Sequence, residues 1–428
     1  MEALRLTPDF TYALDRMEDG ASLFITGRAG TGKSTLLRLF QQTTSRRVVV
    51  LAPTGVAALN VKGQTIHSFF GFPPRLIQAK DVCINRRYQR LYERIDTLVI
   101  DEISMVRADV LDAIDKSLRL HRGIPRPFGG VQLILFGDLF QLPPVVSSQA
   151  EKLYFKEYYP SAYFFAAHAL DEIDLEMIEL EQVYRQTNKR FLRLLESIRM
   201  ASADEEDLAE LNQRFMPDFD PSGLSYLTLA ARNATVMGIN QRELAANPNP
   251  AQIYLAEVKG NFPDKLYPAP AVLNLKVGAQ VMAIRNDSER RFVNGSIGMV
   301  TACDKDEATV VFGQGEQMQE VKIGLEEWEI LKYQLKEDDP SQITTEAVGT
   351  FKQLPLKLAW AVTIHKAQGK TFDRVIIDMG RGAFEHGQTY VALSRCRTLE
   401  GIILSKKLSF RDLLVDEQVV EYYQMMRS

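Results

Sequence analysis

Between Gly27 and Ser34 the chain reads GRAGTGKS, the spacing G-x-x-x-x-G-K-[ST]. Those residue types suit one task. Backbone N–H groups of a glycine loop close around phosphate oxygens at the positive end of a helix, the lysine reaches the outer phosphates, and the serine hydroxyl ligates Mg²⁺. The nucleotide-facing set is then Gly27, Ala29, Gly30, Thr31, Gly32, Lys33, Ser34 and Thr35. A second apolar run, Ile95–Ile100, ends in Asp101-Glu102. Beside a phosphate loop, Asp101 would hold Mg²⁺ through water and Glu102 would polarise the attacking water; alone, the pair would be an ordinary acidic strand end. A third run, Val131–Phe136, leads through Asp138 to Gln141 and the stiff pair Pro143-Pro144. A glutamine there can hydrogen-bond a terminal phosphate without ionising.

The elements that must position these groups are legible as alternation. From Ser22 to about Phe165 short apolar runs (Leu23–Thr26, Val48–Ala52, Thr97–Ile100, Val131–Phe136) alternate with helical patterns, which predicts buried parallel strands with crossover helices. Leu227–Ala230, Leu358–Val362, Val375–Ile377 and Ile402–Leu404 predict a second α/β domain interrupted in the middle. The interruption, 277–350, is β-rich and punctuated by Asn294-Gly295 and Gly313, as a small SH3-like barrel would be. Segment 72–94 breaks the first domain with Pro73-Pro74 and Arg75, Lys80, Arg86, Arg87 and Arg90, and reads as a small insertion. A chain of 428 residues has room for two to four domains.

Composition excludes several classes. With 46% apolar and 25% charged residues the chain has a soluble globular make-up, and no stretch of about 18 apolar residues predicts a membrane span. The segment MEALRLTPDF has no secretory pattern. Cys83, Cys303 and Cys396 are too scattered for a zinc site or a disulfide framework, so a reducing cytoplasm is expected. At a net charge of −4, any nucleic acid must be drawn by a local basic cleft.

In order, the chain carries GRAGTGKS, LAPTGVAA (51–58), TIHSFF (65–70), VIDEISM (99–105), FGDLFQLPPV (136–145), VYRQ (183–186), VTIHKAQGKTF (362–372) and YVALSRCR (390–397). This series resembles the superfamily 1 helicases, within them the 5′-to-3′ branch (superfamily 1B), and specifically the Pif family (petite integration frequency), relatives of RecD-like helicases. The match runs from about residue 20 to 405. The segment 109–137 resembles the stretch that sets the Pif family apart.

The resemblance implies an α/β fold of two RecA-like P-loop NTPase domains. These are 1–71 with 95–170, and 171–276 with 351–428; 72–94 is a wedge insertion and 277–350 an SH3-like one. It implies ATP with Mg²⁺ as cofactors and a catalytic set of Lys33, Asp101, Glu102, Gln141, Arg185 and Arg395, the arginines acting on the γ-phosphate from the second domain. The cation would be held by Ser34 and, through water, Asp101. Gln368 and Gly369 would meet the nucleotide's edge; Gly369-Lys370-Thr371 mimics a phosphate loop but has Ile364 where a glycine is required.

Single-stranded DNA would be held by Thr54, Gly55, Ala57, Thr65, His67, Ser68 and Phe69 in the first domain and Thr363, His365 and Lys366 in the second. Phe69 has two readings, a base-stacking face or a core residue. The expected partners are single strands and strand junctions, with G-quadruplexes a family expectation. No membrane is involved, and the expected form is a monomer able to pair on DNA. The expected location is cytoplasmic and nucleoid-associated in a bacterium, or nuclear or mitochondrial in a eukaryote. The family's upstream glutamine, which reads adenine, is absent from Leu6–Thr11, leaving base selectivity open. Three rivals also stay open: a translocating ATPase that separates no strands, a small-molecule P-loop kinase, and a non-catalytic recruitment module.

Overall fold

Ser22–Thr26 (β1), Val48–Ala52 (β2), Gln64–Thr65 (β3), Thr97–Ile100 (β4), Gln132–Phe136 (β5) and Leu175–Glu179 (β6) form a parallel sheet in the order β3-β2-β4-β5-β1-β6. β1, β2, β4 and β5 are buried along nearly their whole length, as strands covered on both faces must be. One covering face comes from helix Pro8–Glu18, whose Phe10, Ala13 and Met17 recur at helical spacing, and from Leu36, Leu37 and Phe40 of helix Lys33–Thr43. The structure, a computed structural model, describes residues 7–146, 148–186, 188–221, 226–289, 291–313 and 318–427. The chain divides into two compact units. This sheet belongs to the first, which comprises residues up to Tyr184, Ile330–Val348, and Asp416 onward.

Within the first unit, segment 72–94 forms a short 3₁₀ turn, Ala79–Asp81, and a helix, Arg86–Glu93. It is tied down by helix Ala108–Arg122. The Asp109 carboxylate accepts from the Ile77 N–H at 2.9 Å, Arg107 donates to the Arg75 carbonyl at 3.0 Å, and Lys116 donates to the Ala79 carbonyl at 2.8 Å. The Asn85 N–H donates to His121 Nε2 at 2.8 Å. Cys83 stands exposed on this insertion.

The second unit has its own parallel sheet. After Leu227–Ala230 (β7) come Ala251–Leu255 (β8), Glu257–Gly260 (β9), Val272–Lys276 (β10), Gln280–Ala283 (β11), Ile297–Cys303 (β12), Glu307–Phe312 (β13), Gln319–Gly324 (β14), Glu326–Leu335 (β15), Ile343–Gln353 (β16), Leu356–Leu358 (β17), Ala361–Thr363 (β18), Val375–Asp378 (β19) and Ile402–Leu404 (β20). β18-β7-β19-β20 are parallel, while β14-β13-β12-β11-β17 form the antiparallel sheet of the β-rich insertion. Val281, Val300, Val310, Val321 and Leu356 share that insertion's core with Tyr254 and Leu275.

Three features depart from the sequence division. The run 358–362 is not one strand: β17 joins the antiparallel sheet and β18 the parallel one. The break between them is fixed where Gln280 Nε2 donates to the Ala359 carbonyl at 2.7 Å. Within the interruption, β15 and β16 are polar strands, and the part 330–348 belongs to the first unit, where Tyr333 is buried with its hydroxyl 3.0 Å from the Val50 N–H. The last helix, Glu417–Arg427, also belongs to the first unit, where Tyr423 donates to Glu179 at 2.7 Å and Tyr422 stacks on Phe165.

Candidate active site

β4, β5 and β1 are neighbours and parallel, so the loops that follow them meet at one edge of the first sheet. That edge is where α/β folds place ligands. The loop after β1 is built on three positive-φ glycines, Gly27 at 141°, Gly30 at 88° and Gly32 at 91°. A Cβ on Gly27 would stand 2.6 Å from the Leu180 carbonyl oxygen, and one on Gly32 would strike the Phe10 ring at 2.8 Å. No side chain caps the helix that follows, which begins at Lys33. Lys33 Nζ folds back to donate to the Gly27 and Arg28 carbonyls at 2.5 and 3.1 Å. A helix N-terminus without a side-chain cap, entered through glycines, fits a polyphosphate.

The loop after β4 holds its acids under tension. Asp101 is pushed well above the ordinary carboxylate range by burial and by the charge of Glu102, with Lys33 pulling the other way. Glu102 has φ 52° and ψ 45°, a left-handed conformation that a non-glycine residue adopts at a cost. Two crowded carboxylates beside a lysine fit a divalent cation, whose charge would relieve the repulsion. Among the described residues no cluster of three or more His, Cys, Asp or Glu could hold a metal ion. After β5, Gln141 is nearly buried and donates to Asp138 Oδ2 at 3.2 Å. Asp138 therefore orients Gln141, a role the sequence reading left unassigned.

The second unit brings Arg185 and Arg395 together. Arg185 and Gln186 both donate to the Ser394 carbonyl, at 3.3 and 3.0 Å, and Gln186 also to that of Cys396 at 3.0 Å. Burial and the like charge of Arg395 pull the Arg185 guanidinium down to about 9. Arg395 is 1% exposed, donating from Nε to the Val391 carbonyl and from Nη2 to Ser394 Oγ. Two guanidiniums pressed together are a receptor for an anion.

Residues 11–208 match the model of the family described as PIF1-like helicase. Over 99% of its length the chain is 34% identical to the ATP-dependent DNA helicase PIF1 of Danio rerio. It superposes on Bacteroides sp. Pif1 in complex with ADP-AlF4 with a TM-score of 0.92 and 34% identity, covering 99% of this chain and 97% of that one. The chain belongs to the Pif1 helicase family. A Bacteroides Pif1 structure in complex with ADP-AlF3 and ssDNA matches with a TM-score of 0.71 at 35% identity, covering 99% of this chain and 98% of that one. The chain spans 64% of the length of the zebrafish relative.

The residues that the family resemblance assigns to a strand share one local design. Thr65 and Thr363 each end a strand and Thr54 follows one; all three cap a short helix, accepting from the N–H three residues on at 3.2 Å for Thr54, 3.4 Å for Thr65 and 3.3 Å for Thr363. Gly55 and Ala57 lie in the first of these helices, His67, Ser68 and Phe69 in the second, and His365 and Lys366 in the third. The tripeptide Thr-Ile-His occurs at 65–67 and again at 363–365, a signal that pairs the two units and that the sequence reading passed over. His365 Nε2 lies 2.8 Å from Glu385. Burial and the Arg107 charge lower the His67 pKa from its ordinary value.

Phe69 requires a correction. It is 4% exposed and packs against Phe70, Tyr92 and Tyr333, so it is the core residue of its two readings and offers no face to a base. Gln368 and Gly369 follow the third helix, with Gly369 at φ 76°. Of the stretch lacking the adenine-reading glutamine, Leu6 lies outside the described residues and Phe10 packs beneath Gly32. Tyr184 is the aromatic that sequence reasoning missed. Its N–H donates to the Gly30 carbonyl at 2.9 Å, and its ring is 52% exposed beside the phosphate loop. Its place directly before Arg185 in VYRQ was the available clue.

Proposed function

We propose that this chain is an ATP-dependent DNA helicase that moves 5′ to 3′ along single-stranded DNA and separates duplex at a junction. The observation that carries it is the edge where a glycine-built phosphate loop meets Asp101 and a strained Glu102. The names of its relatives support it: a zebrafish ATP-dependent DNA helicase and a Bacteroides protein held with a nucleotide analogue and ssDNA. The direction of travel rests on family resemblance alone.

In this reading the N–H groups of 27–35 and Lys33 hold the phosphates, with Ser34 and, through water, Asp101 holding Mg²⁺. When bound, the cation neutralises charge on the phosphates. Glu102 orients and deprotonates the attacking water, and Gln141, held by Asp138, senses the terminal phosphate. Arg185 and Arg395 stabilise the charge that develops there. The exposed Tyr184 ring offers the base a stacking surface in place of the missing glutamine. Thr54, Thr65, His67, Thr363, His365 and Lys366 grip the backbone without reading sequence. The insertion 72–94 is the wedge, and the protein works as a monomer that can pair on DNA; G-quadruplexes fall within its range.

The test is unwinding of matched duplexes carrying either a 5′ or a 3′ tail. Strand separation of the 5′-tailed substrate alone is expected. Turnover without separation would leave a translocating ATPase, and turnover indifferent to oligo-dT would point to a small-molecule kinase.

A further inference from the structure

Two lysines of the second unit meet at a methionine. Lys357 on β17 lies directly across from Met282 on β11, and opposed residues of antiparallel strands share a face. Lys370 reaches the same point from the segment after helix Ile364–Ala367, with Nζ 3.6 Å from Met282 Sδ. Its stem runs along Gly295, where an added Cβ would stand 3.4 Å from that of Lys370. Lys366, at the end of the same helix, is close enough to repel Lys357, as Lys370 also does.

Among the described residues no carboxylate forms an ion pair with Lys357, Lys366 or Lys370, and the charges that act on Lys357 are those of the other two lysines. Burial and these positive neighbours bring Lys357 down to about 7, and burial brings Lys370 to about 8. Half-buried cations without a counter-charge are costly, and an anion is what would repay them. Lys357 and Lys370 are half-buried and Lys366 is exposed, so the cluster is open to solvent. The helix carrying Lys366 is capped by Thr363, so the cluster continues the surface assigned above to a DNA strand.

We propose that Lys357 and Lys370, with Lys366 at the rim, form a phosphate site that takes a phosphodiester of the strand held by Thr363 and His365. This rests on the DNA-binding reading above. It gives Gly369-Lys370-Thr371 a purpose that its likeness to a phosphate loop conceals: the lysine serves the strand and not the nucleotide.

The test compares Lys357→Gln and Lys370→Gln with the wild-type chain, using anisotropy of a labelled oligo-dT across a salt series. Each variant is expected to bind about threefold to tenfold more weakly at low salt and to flatten the dependence of log affinity on log salt by about 0.7. Lys370→Arg should restore most of the loss. Lys305→Gln, which removes an exposed charge from the turn between β12 and β13, should bind as the wild type does. Thermal melting separates a lost grip from a lost fold.

Wild-type affinity and salt slope in both glutamine variants would overturn the proposal. So would a raised KM for ATP with unchanged oligo-dT binding, which would assign the site to nucleotide phosphates. Failure of the wild type itself to bind oligo-dT is a distinct outcome that removes the DNA reading and this site together.

Discussion

At Asp101 the fold holds a carboxyl group where it is uncomfortable. A carboxyl raised above its ordinary value favours the folded state at low pH and loses that advantage as pH rises through its folded value. Asp101→Asn should therefore melt higher than the wild type at pH 8, by roughly 1–2 kcal/mol of added stability, with the gap closing toward pH 5. The same variant should lose nearly all Mg²⁺-dependent turnover. Calorimetry across that range checks the first claim and a phosphate-release assay the second. A gap that widened on acidification would mean that Asp101 is stabilised as an anion. For the arginine pair, Arg395→Ala should leave nucleotide binding measurable and cut turnover at least about 10²-fold, a cautious fraction of what such residues contribute elsewhere. Near-normal turnover would move the role to Arg185. Asp101 and Gln141 could be placed after strands from the apolar runs that precede them, whereas the roles proposed for Arg185 and Arg395 come only with the family resemblance. Asp138 and Gln186 stand out only through the hydrogen bonds they make, and Tyr184 through its exposure beside the loop.

Among the elements, helix Ala108–Arg122 is the support of the 72–94 insertion, gripping it through Asp109, Lys116 and His121. Asp109 also pairs with Arg107, at 2.8 Å, with its side chain fully buried. Asp109→Asn should destabilise the first unit by about 1–3 kcal/mol, because Arg107 loses the nearer of its two charged partners, keeping Glu151, and the Ile77 N–H loses a strong acceptor. If the insertion is the wedge, fork unwinding should fall further than oligo-dT-stimulated turnover. Equal losses in the two assays would reduce the helix to a structural prop. The buried strands β2, β4 and β20 were readable to the residue, because continuous apolar runs have few alternatives. The split between β17 and β18 was not: Ala359 and Trp360 look like strand, and tertiary hydrogen bonds, among them that from Gln280, part them. Likewise the polar surface of β15 and β16 masks their pairing, since an exposed strand lacks the apolar run that betrays a buried one.

Taken as a whole, the chain is a net anion proposed to hold another anion. Binding must then come from a few local cations and should be steeply salt-dependent. With about six phosphates neutralised, oligo-dT affinity should drop roughly 300-fold between about 50 and 200 mM salt, while basal turnover changes little. A shallow slope would show that stacking, not charge, holds the strand. The fold class was legible throughout, because the motifs fall at the ends of strands. The assignment of the last helix and of 330–348 was not, because chain order says nothing of which core a late segment joins. The three thiols carry a last consequence. Cys396 is buried and pushed up to about 11, Cys303 is half-buried and also raised, and Cys83 stands in the open on the 72–94 insertion. Thiol reagents attack the accessible sulfur first. A maleimide dye should therefore settle on Cys83, giving the native chain a ready-made optical reporter at the segment proposed to meet the fork, with no cysteine to add or remove.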